Sequence, residues 1–228
     1  MLTRENILNG YVKKLFAEGD GTTPLLSDEE IDASCHETLD AAPPGDVWLF
    51  GYGSLIWNPT IIFTEKRIGH VTGYHRRFCL WTHLGRGKPE CPGLLLGLEH
   101  GGSCSGVVYR IPAEQAAHEC RVIWHREMIS GSYVPRWVDV TTETGTVHAI
   151  AFIINREHLR YAGRLPDAEV ADVLAAAEGS LGNCADYLIN TADHLEELGI
   201  LDAPLRHLRH EVQLRCKAKK ASASKDDD

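Results

Sequence analysis

Apolar positions change their period part-way along the chain. From Val47 to about Asn155 they come in short runs rich in β-branched and aromatic residues: Arg67 to Trp81, Leu94 to Leu98, Ser105 to Ile111, Tyr133 to Thr141 and Val147 to Ile154. Glycine, proline or asparagine separates most of these runs, which is the pattern of strands and turns. One stretch breaks the pattern. From Pro112 to about Met128, Ala116, Ala117, Cys120, Ile123 and Trp124 recur at i, i+3, i+4 and i+7, so an amphipathic helix opens on Pro112. After Asn155 the spacing is helical throughout. Val170, Val173, Leu174 and Ala177 share one face, and Gly179-Ser180-Leu181-Gly182 interrupts it. Tyr187, Leu188, Thr191, Leu195 and Leu198 share the next face, and a last helix runs from Asp202 to Lys217. Five or six short strands with one inserted helix predict an α+β fold, a mixed sheet or partly closed β-barrel with flanking helices. Parallel βαβ repeats are not apparent.

The first 46 residues read as an N-terminal helical extension and linker. Ile7, Tyr11, Val12 and Leu15 fall at helical spacing, Ser27-Asp28-Glu29-Glu30 has the capping-box pattern, and Ala41-Ala42-Pro43-Pro44-Gly45 breaks the chain. The extension carries no evident chemistry, and it is expected to pack on the main domain or on a partner. Residues 47–216 form the main domain, and 217–228, small and charged, read as a disordered tail.

Composition narrows the function. The formal charge is −9 with no long basic run, which argues against a nucleic-acid partner. No long apolar stretch predicts a membrane span or a signal peptide. Seven cysteines, an odd number without a Cys-x-x-Cys pair, read as free thiols in a reducing compartment, so a cytoplasmic protein is expected. Twelve histidines are scattered, with His207 and His210 the one tight pair, so no metal site is expected. No dinucleotide or Walker pattern is present, and no cofactor is expected.

Two places carry candidate chemistry. The first is Trp48-Leu49-Phe50-Gly51-Tyr52-Gly53-Ser54-Leu55-Ile56-Trp57-Asn58-Pro59. A buried strand opens there into a glycine turn whose free N–H groups form a nest for an anionic group. A tight turn with packed tryptophans is the competing reading. Ser54 lacks the flanks of a nucleophile elbow, which favours a ligand-contacting hydroxyl over covalent attack. The second is Glu127. Continuing the apolar stripe of the inserted helix by one turn lands on it, near the helix C-terminus. Desolvation and the helix dipole both raise a carboxyl pKa there, which makes a better base near neutral pH. Alternatively, Glu127 reaches the surface or pairs with Arg126 or Arg136.

The Phe50-Gly51-Tyr52-Gly53-Ser54-Leu55-Ile56-Trp57 run resembles the signature of the γ-glutamylcyclotransferases and is similar to the ChaC-like, glutathione-acting branch. Arg126-Glu127-Met128-Ile129-Ser130-Gly131-Ser132-Tyr133 is similar to that branch's Arg-Glu-x-x-Gly-x-Tyr motif, with one extra residue before the glycine. The resemblance implies a γ-glutamylcyclotransferase-like fold and Glu127 as general acid/base. It further implies a substrate site over Leu49, Phe50, Gly51, Tyr52, Gly53, Ser54, Leu55 and Tyr187, and glutathione as substrate. On its own pattern, Tyr187 is equally a core aromatic. The implied reaction is cleavage of a γ-glutamyl amide by the substrate's own α-amine, giving 5-oxoproline and cysteinylglycine. Other γ-glutamyl substrates, or a non-catalytic module that binds a small anion, are the alternatives. Oligomeric state is not legible.

Overall fold

The computed structural model describes residues 2–17 and 23–223. Its centre is a closed five-stranded barrel of β1 (Val47–Gly51), β2 (Glu65–Thr82), β3 (Gly93–Ile111), β4 (Tyr133–Thr142) and β5 (Gly145–Ile154), in the order β1-β3-β2-β4-β5. Neighbours are antiparallel except at the closure, where β1 lies parallel to β5 with Trp48 opposite Ala149 and Leu49 opposite Ile150. Closure removes the open edges an incomplete barrel would leave. Leu49, Phe50, Leu96, Leu98, Tyr109 and Ile150 are all buried, and since Leu49 and Phe50 are consecutive in β1, both faces of that strand are covered.

Two expected strands, Leu94 to Leu98 and Ser105 to Ile111, are one strand. The Gly101-Gly102 pair between them bends β3 without ending it. Both glycines have positive φ (97° and 72°), and β2 answers with a bulge at Gly73, φ 90°, between the pairs Thr72–Ser103 and Tyr74–His100. A bulge matched by glycines keeps pairing alive through a sharp twist.

The inserted helix, α4 after three N-terminal helices, spans Ala113–Glu127 with Pro112 at its N-cap. Cys120, Ile123 and Trp124 face inward, and the Trp124 ring meets Phe152 edge-on at 5.1 Å. Ala117 is exposed, and Glu119 takes an inward place that apolar periodicity did not predict. Its burial is compensated by a two-pronged ion pair with Arg4 (2.5 and 2.6 Å) and an N–H bond from Ile62 at 2.8 Å.

The extension folds as α1 (Arg4–Leu8), α2 (Tyr11–Ala17) and α3 (Asp28–Asp40). Its first helical run is split at Gly10, whose φ of 70° ends one helix before the other begins. The capping box at Ser27 and Glu30 is formed. The extension packs on its own chain: Ile7, Ile31 and Cys35 are buried, and Leu26 N–H donates to Ile129 O at 2.9 Å.

After the barrel come α5 (Asp167–Ala176), a two-residue hairpin of β6 (Glu178–Gly179) and β7 (Gly182–Asn183), α6 (Cys184–Glu197) and α7 (Ala203–Ala223). The last helix continues through residues 217–223, which composition assigned to a disordered tail. Lysine and alanine are strong helix formers, so a charged, low-complexity stretch propagates a helix already started. Residues 224–228 lie outside the described residues. Among the described residues, no helix is long and apolar enough to cross a membrane.

Candidate active site

At the C-terminal end of β1 the chain leaves the barrel through Tyr52 and Gly53 into a 3₁₀ turn, Ser54–Ile56. Buried donors hold the carbonyls of this turn. Tyr109 donates its hydroxyl to Leu55 O at 2.8 Å, and Arg76 donates to Tyr52 O and, at 2.9 Å, to Ser105 O. Arg76 is itself neutralised by Asp202 at 2.8 Å. With the carbonyls turned inward, the N–H groups point elsewhere. Among the described residues, no backbone acceptor takes the N–H of Gly53, Ser54 or Leu55. The nest read from the glycine pattern is therefore a set of bare donors.

Glu127 closes the other side. As the last residue of α4 it stands where three inward-facing helix positions place it. Its side chain is 17% exposed and pairs with the Nε of Arg126 at 2.9 Å, while that arginine is 6% exposed. The sequence reading set ion pairing against a role in the site, but the two coexist. Arg126 also donates to Ser54 Oγ (2.7 Å), Asn58 O (2.5 Å) and Thr60 Oγ1 (3.0 Å), so one guanidinium ties the carboxylate to the glycine turn. Burial pushes the Glu127 pKa up, and the adjacent cation offsets only part of that rise.

Tyr52, Gly53, Ser54, Leu55, Leu96, Glu127, Tyr133, Phe152 and Tyr187 line a small inner pocket. It shares Ser54, Glu127, Tyr133 and Tyr187 with a larger outer cleft. Leu49, Phe50 and Gly51 are not on the lining. They lie behind it in β1, where Leu49 and Phe50 are buried on opposite faces of the strand and a Cβ on Gly51 would press on Leu55 at 3.0 Å. Side chains in a strand buried on both faces have no route to a cleft beyond its end.

The tyrosines stay neutral. Burial raises the Tyr52 and Tyr133 pKa values well above their ordinary range and that of Tyr187 to about 12. Tyr52 donates to Phe152 O at 2.7 Å and Tyr133 to Leu96 O at 2.8 Å, so each hydroxyl proton is committed and only the oxygen's acceptor capacity is left. Tyr133 lies beyond the extra residue of the glutamate segment. That residue is absorbed by a turn in which Gly131 has φ 67° and Ser130 and Ser132 bond at 2.6 Å.

Several lining residues were not anticipated. Arg126 and Trp57 stand in the two motifs without a lining role of their own, Val12 and Leu15 stand only on a helix face, and Arg86, Leu2 and Phe16 stand in no pattern. Val12, Leu15 and Phe16 share one face of α2, but that helix, Trp57, Arg86 and Arg126 belong to separate segments, so no spacing along the chain joins them to one another. The signal for Arg86 was its setting, Gly85-Arg86-Gly87, a cation on a loop with room for backbone only. A Cβ at Gly87 would lie 2.4 Å from Thr82 O. Among the described residues no cluster of three or more His, Cys, Asp or Glu is arranged to hold a metal ion.

Gly53 offers a direct test of the wall. A Cβ there would sit 3.1 Å from the Tyr187 hydroxyl and 3.6 Å from Leu96 Cδ1. Gly53→Ala is expected to leave the circular dichroism spectrum unchanged while turnover falls about 10²-fold, because an added methyl misplaces whatever rests on the turn. Wild-type kinetics in this variant would take the turn out of the site.

The ChaC-like protein family model matches residues 47–215. The chain belongs to this family. It is 41% identical over 210 residues to the glutathione-specific γ-glutamylcyclotransferase of Escherichia coli K12, covering 91% of this chain and 90% of that one. The human glutathione-specific γ-glutamylcyclotransferase 1 is 30% identical over 182 residues, covering 78% and 82%. Among solved structures, a yeast γ-glutamyl cyclotransferase described as specific to glutathione superposes with a TM-score of 0.70 at 22% identity. The match covers 75% of this chain and 97% of that chain, which shows a shared fold.

Proposed function

We propose that this chain cleaves glutathione into 5-oxoproline and cysteinylglycine, with Glu127 as the general acid/base. One observation carries the reading: Glu127 lines the same inner pocket as Gly53, Ser54 and Leu55, whose N–H groups no backbone acceptor of a described residue takes. The names of the E. coli and human relatives support glutathione as the substrate.

The chemistry needs only the substrate's own atoms. Glu127 takes a proton from the α-ammonium, and the freed amine attacks the γ-carbonyl carbon. A five-membered ring forms and the carbonyl oxygen becomes an oxyanion. Collapse breaks the bond to the cysteinyl nitrogen, which takes the proton held by Glu127 as it leaves. The regenerated carboxylate then removes the second proton from the ring nitrogen and passes it to the departing amine, so the ring ends as a neutral lactam and the dipeptide as an ammonium. No water enters and no protein nucleophile is used. Ring closure is intramolecular, worth effective molarities of about 10⁵–10⁸ M when well oriented. The turn around Tyr52–Leu55 holds the substrate carboxylate or the oxyanion.

The raised Glu127 pKa has a purpose here. An ordinary glutamate at ~4.3 is about 4 units below an α-ammonium near ~8, a mismatch of roughly 5 kcal/mol. Each unit of upward shift removes about 1.4 kcal/mol of that gap. The seven free cysteines, most of them buried, support a reducing compartment, and we assign the protein to the cytoplasm.

The test is incubation of the purified protein with glutathione, with 5-oxoproline and cysteinylglycine measured by mass spectrometry. γ-Glutamyl amino acids and γ-glutamylamines serve as the other arms. Both products should accumulate in equal amounts from glutathione. Equal or faster release from the other arms would move the substrate assignment, and no release from any arm would end the catalytic one.

A further inference from the structure

Three arginines line the outer cleft, and two are committed to the protein. Arg126 binds Glu127, Ser54 and Asn58. Arg160 donates to Trp81 O at 2.7 Å and Ser130 Oγ at 3.3 Å, with its guanidinium over the Phe16 ring at 5.4 Å. Arg86 differs. Its guanidinium lies over the rings of Tyr187 (5.1 Å) and Trp57 (6.0 Å), and one nitrogen, Nη1, donates to Asn183 O at 2.8 Å. No carboxylate of a described residue forms an ion pair with it. Cation–π contact with two rings holds the guanidinium in place, and among the described residues no acceptor takes its Nε or Nη2, which leaves donors free to bind a carboxylate. Burial pushes the Arg86 pKa down, and the nearby Tyr187, Cys184 and Asp186 offset only part of that fall.

The site is also polar in direction. Arg86 lines the outer cleft with Glu127 but is absent from the inner pocket, where the glycine turn meets Glu127. A substrate whose reacting end fills the inner pocket must send its leaving portion outward past Arg86. Glutathione carries a carboxylate at each end, one on the glutamyl half and one on the glycine. We propose that Arg86 anchors the glycine carboxylate, the free C-terminus of the departing dipeptide, and thereby selects peptides over γ-glutamylamines. This inference rests on the reading of the site as a glutathione cyclotransferase.

The experiment compares glutathione with its glycine ethyl ester, in which only that carboxylate is masked, for the wild type, Arg86→Gln and Arg86→Lys. The wild type should favour glutathione by about 10- to 100-fold in kcat/KM, mainly through KM, as expected for a charge-assisted fork. Arg86→Gln should lower glutathione turnover to the level of the ester and leave the ester unchanged. Arg86→Lys should keep part of the preference, since charge remains without the fork. Equal losses on both substrates would mark Arg86 as a structural residue and overturn the proposal. So would a wild type indifferent to the ester, a result that needs no variant to fold. Release of 5-oxoproline from glutathione with the preference intact in Arg86→Gln would remove the anchor alone. No 5-oxoproline from either substrate would remove the cyclotransferase reading with it.

Discussion

Glu127→Gln is expected to fold, bind glutathione with a similar Kd, and release 5-oxoproline about 10³-fold more slowly or worse, because one group performs both proton transfers and each is worth 10²–10⁴. Glutamine is close in shape and keeps an oxygen for Arg126, so the pocket is preserved while the proton carrier is lost. The same variant reads out the pKa. Burial raises the carboxyl above the unfolded value near ~4.3, so its contribution to stability is full below that pH and is lost as pH rises through the folded value. At neutral pH the ionised form is a cost, so Glu127→Gln should show an unchanged or higher Tm at pH 7 and lose that advantage in acid. In the wild type, kcat/KM should fall on the acid side with an apparent pKa above the ordinary glutamate range. Near-wild-type turnover in Glu127→Gln, or an acid limb at the ordinary value, would break the assignment.

Arg126→Ala should be nearly as damaging by another route. It removes the cation beside Glu127 and three bonds that hold the Ser54–Thr60 segment against the helix end. Leaving one partner of a buried pair alone costs about 3–5 kcal/mol, less whatever Glu127 recovers by taking a proton. Turnover should drop about 10²-fold or more from misplacement of the turn. The residual activity carries the decisive signature. Arg126 is what pulls the Glu127 pKa down, so the acid limb should move to higher pH in Arg126→Ala and stay near the wild-type position in Arg126→Lys. An unmoved limb in the alanine variant would mean that the cation does not set the charge state of the carboxyl.

Much of this was legible locally. The placement of Glu127 followed from helical period alone, since a residue one turn beyond Ile123 and Trp124 shares their face whatever the rest of the chain does. The glycine turn after β1 was legible for a similar reason: glycines mark where backbone must bend or be approached. The strands, the inserted helix, the α3 capping box and the helical C-terminal third rest on periods and caps a few residues long. Local signals misled where a partner segment decides the outcome. Gly101 and Gly102 read as a break, but the bulge at Gly73 in β2 keeps β3 continuous.

The amino-acid order by itself determined where most strands and helices lie, the carboxylate at the end of α4 and the glycine bend after β1, because each depends on neighbours within about two turns. Only the tertiary structure decided that Arg126 bridges that carboxylate to Ser54, that Arg86 stands over Tyr187 and Trp57, and that the N-terminal helices wall the cleft. Those meetings join residues dozens of positions apart. Barrel closure brings them together, and no pattern along the chain encodes the distance between its separated parts.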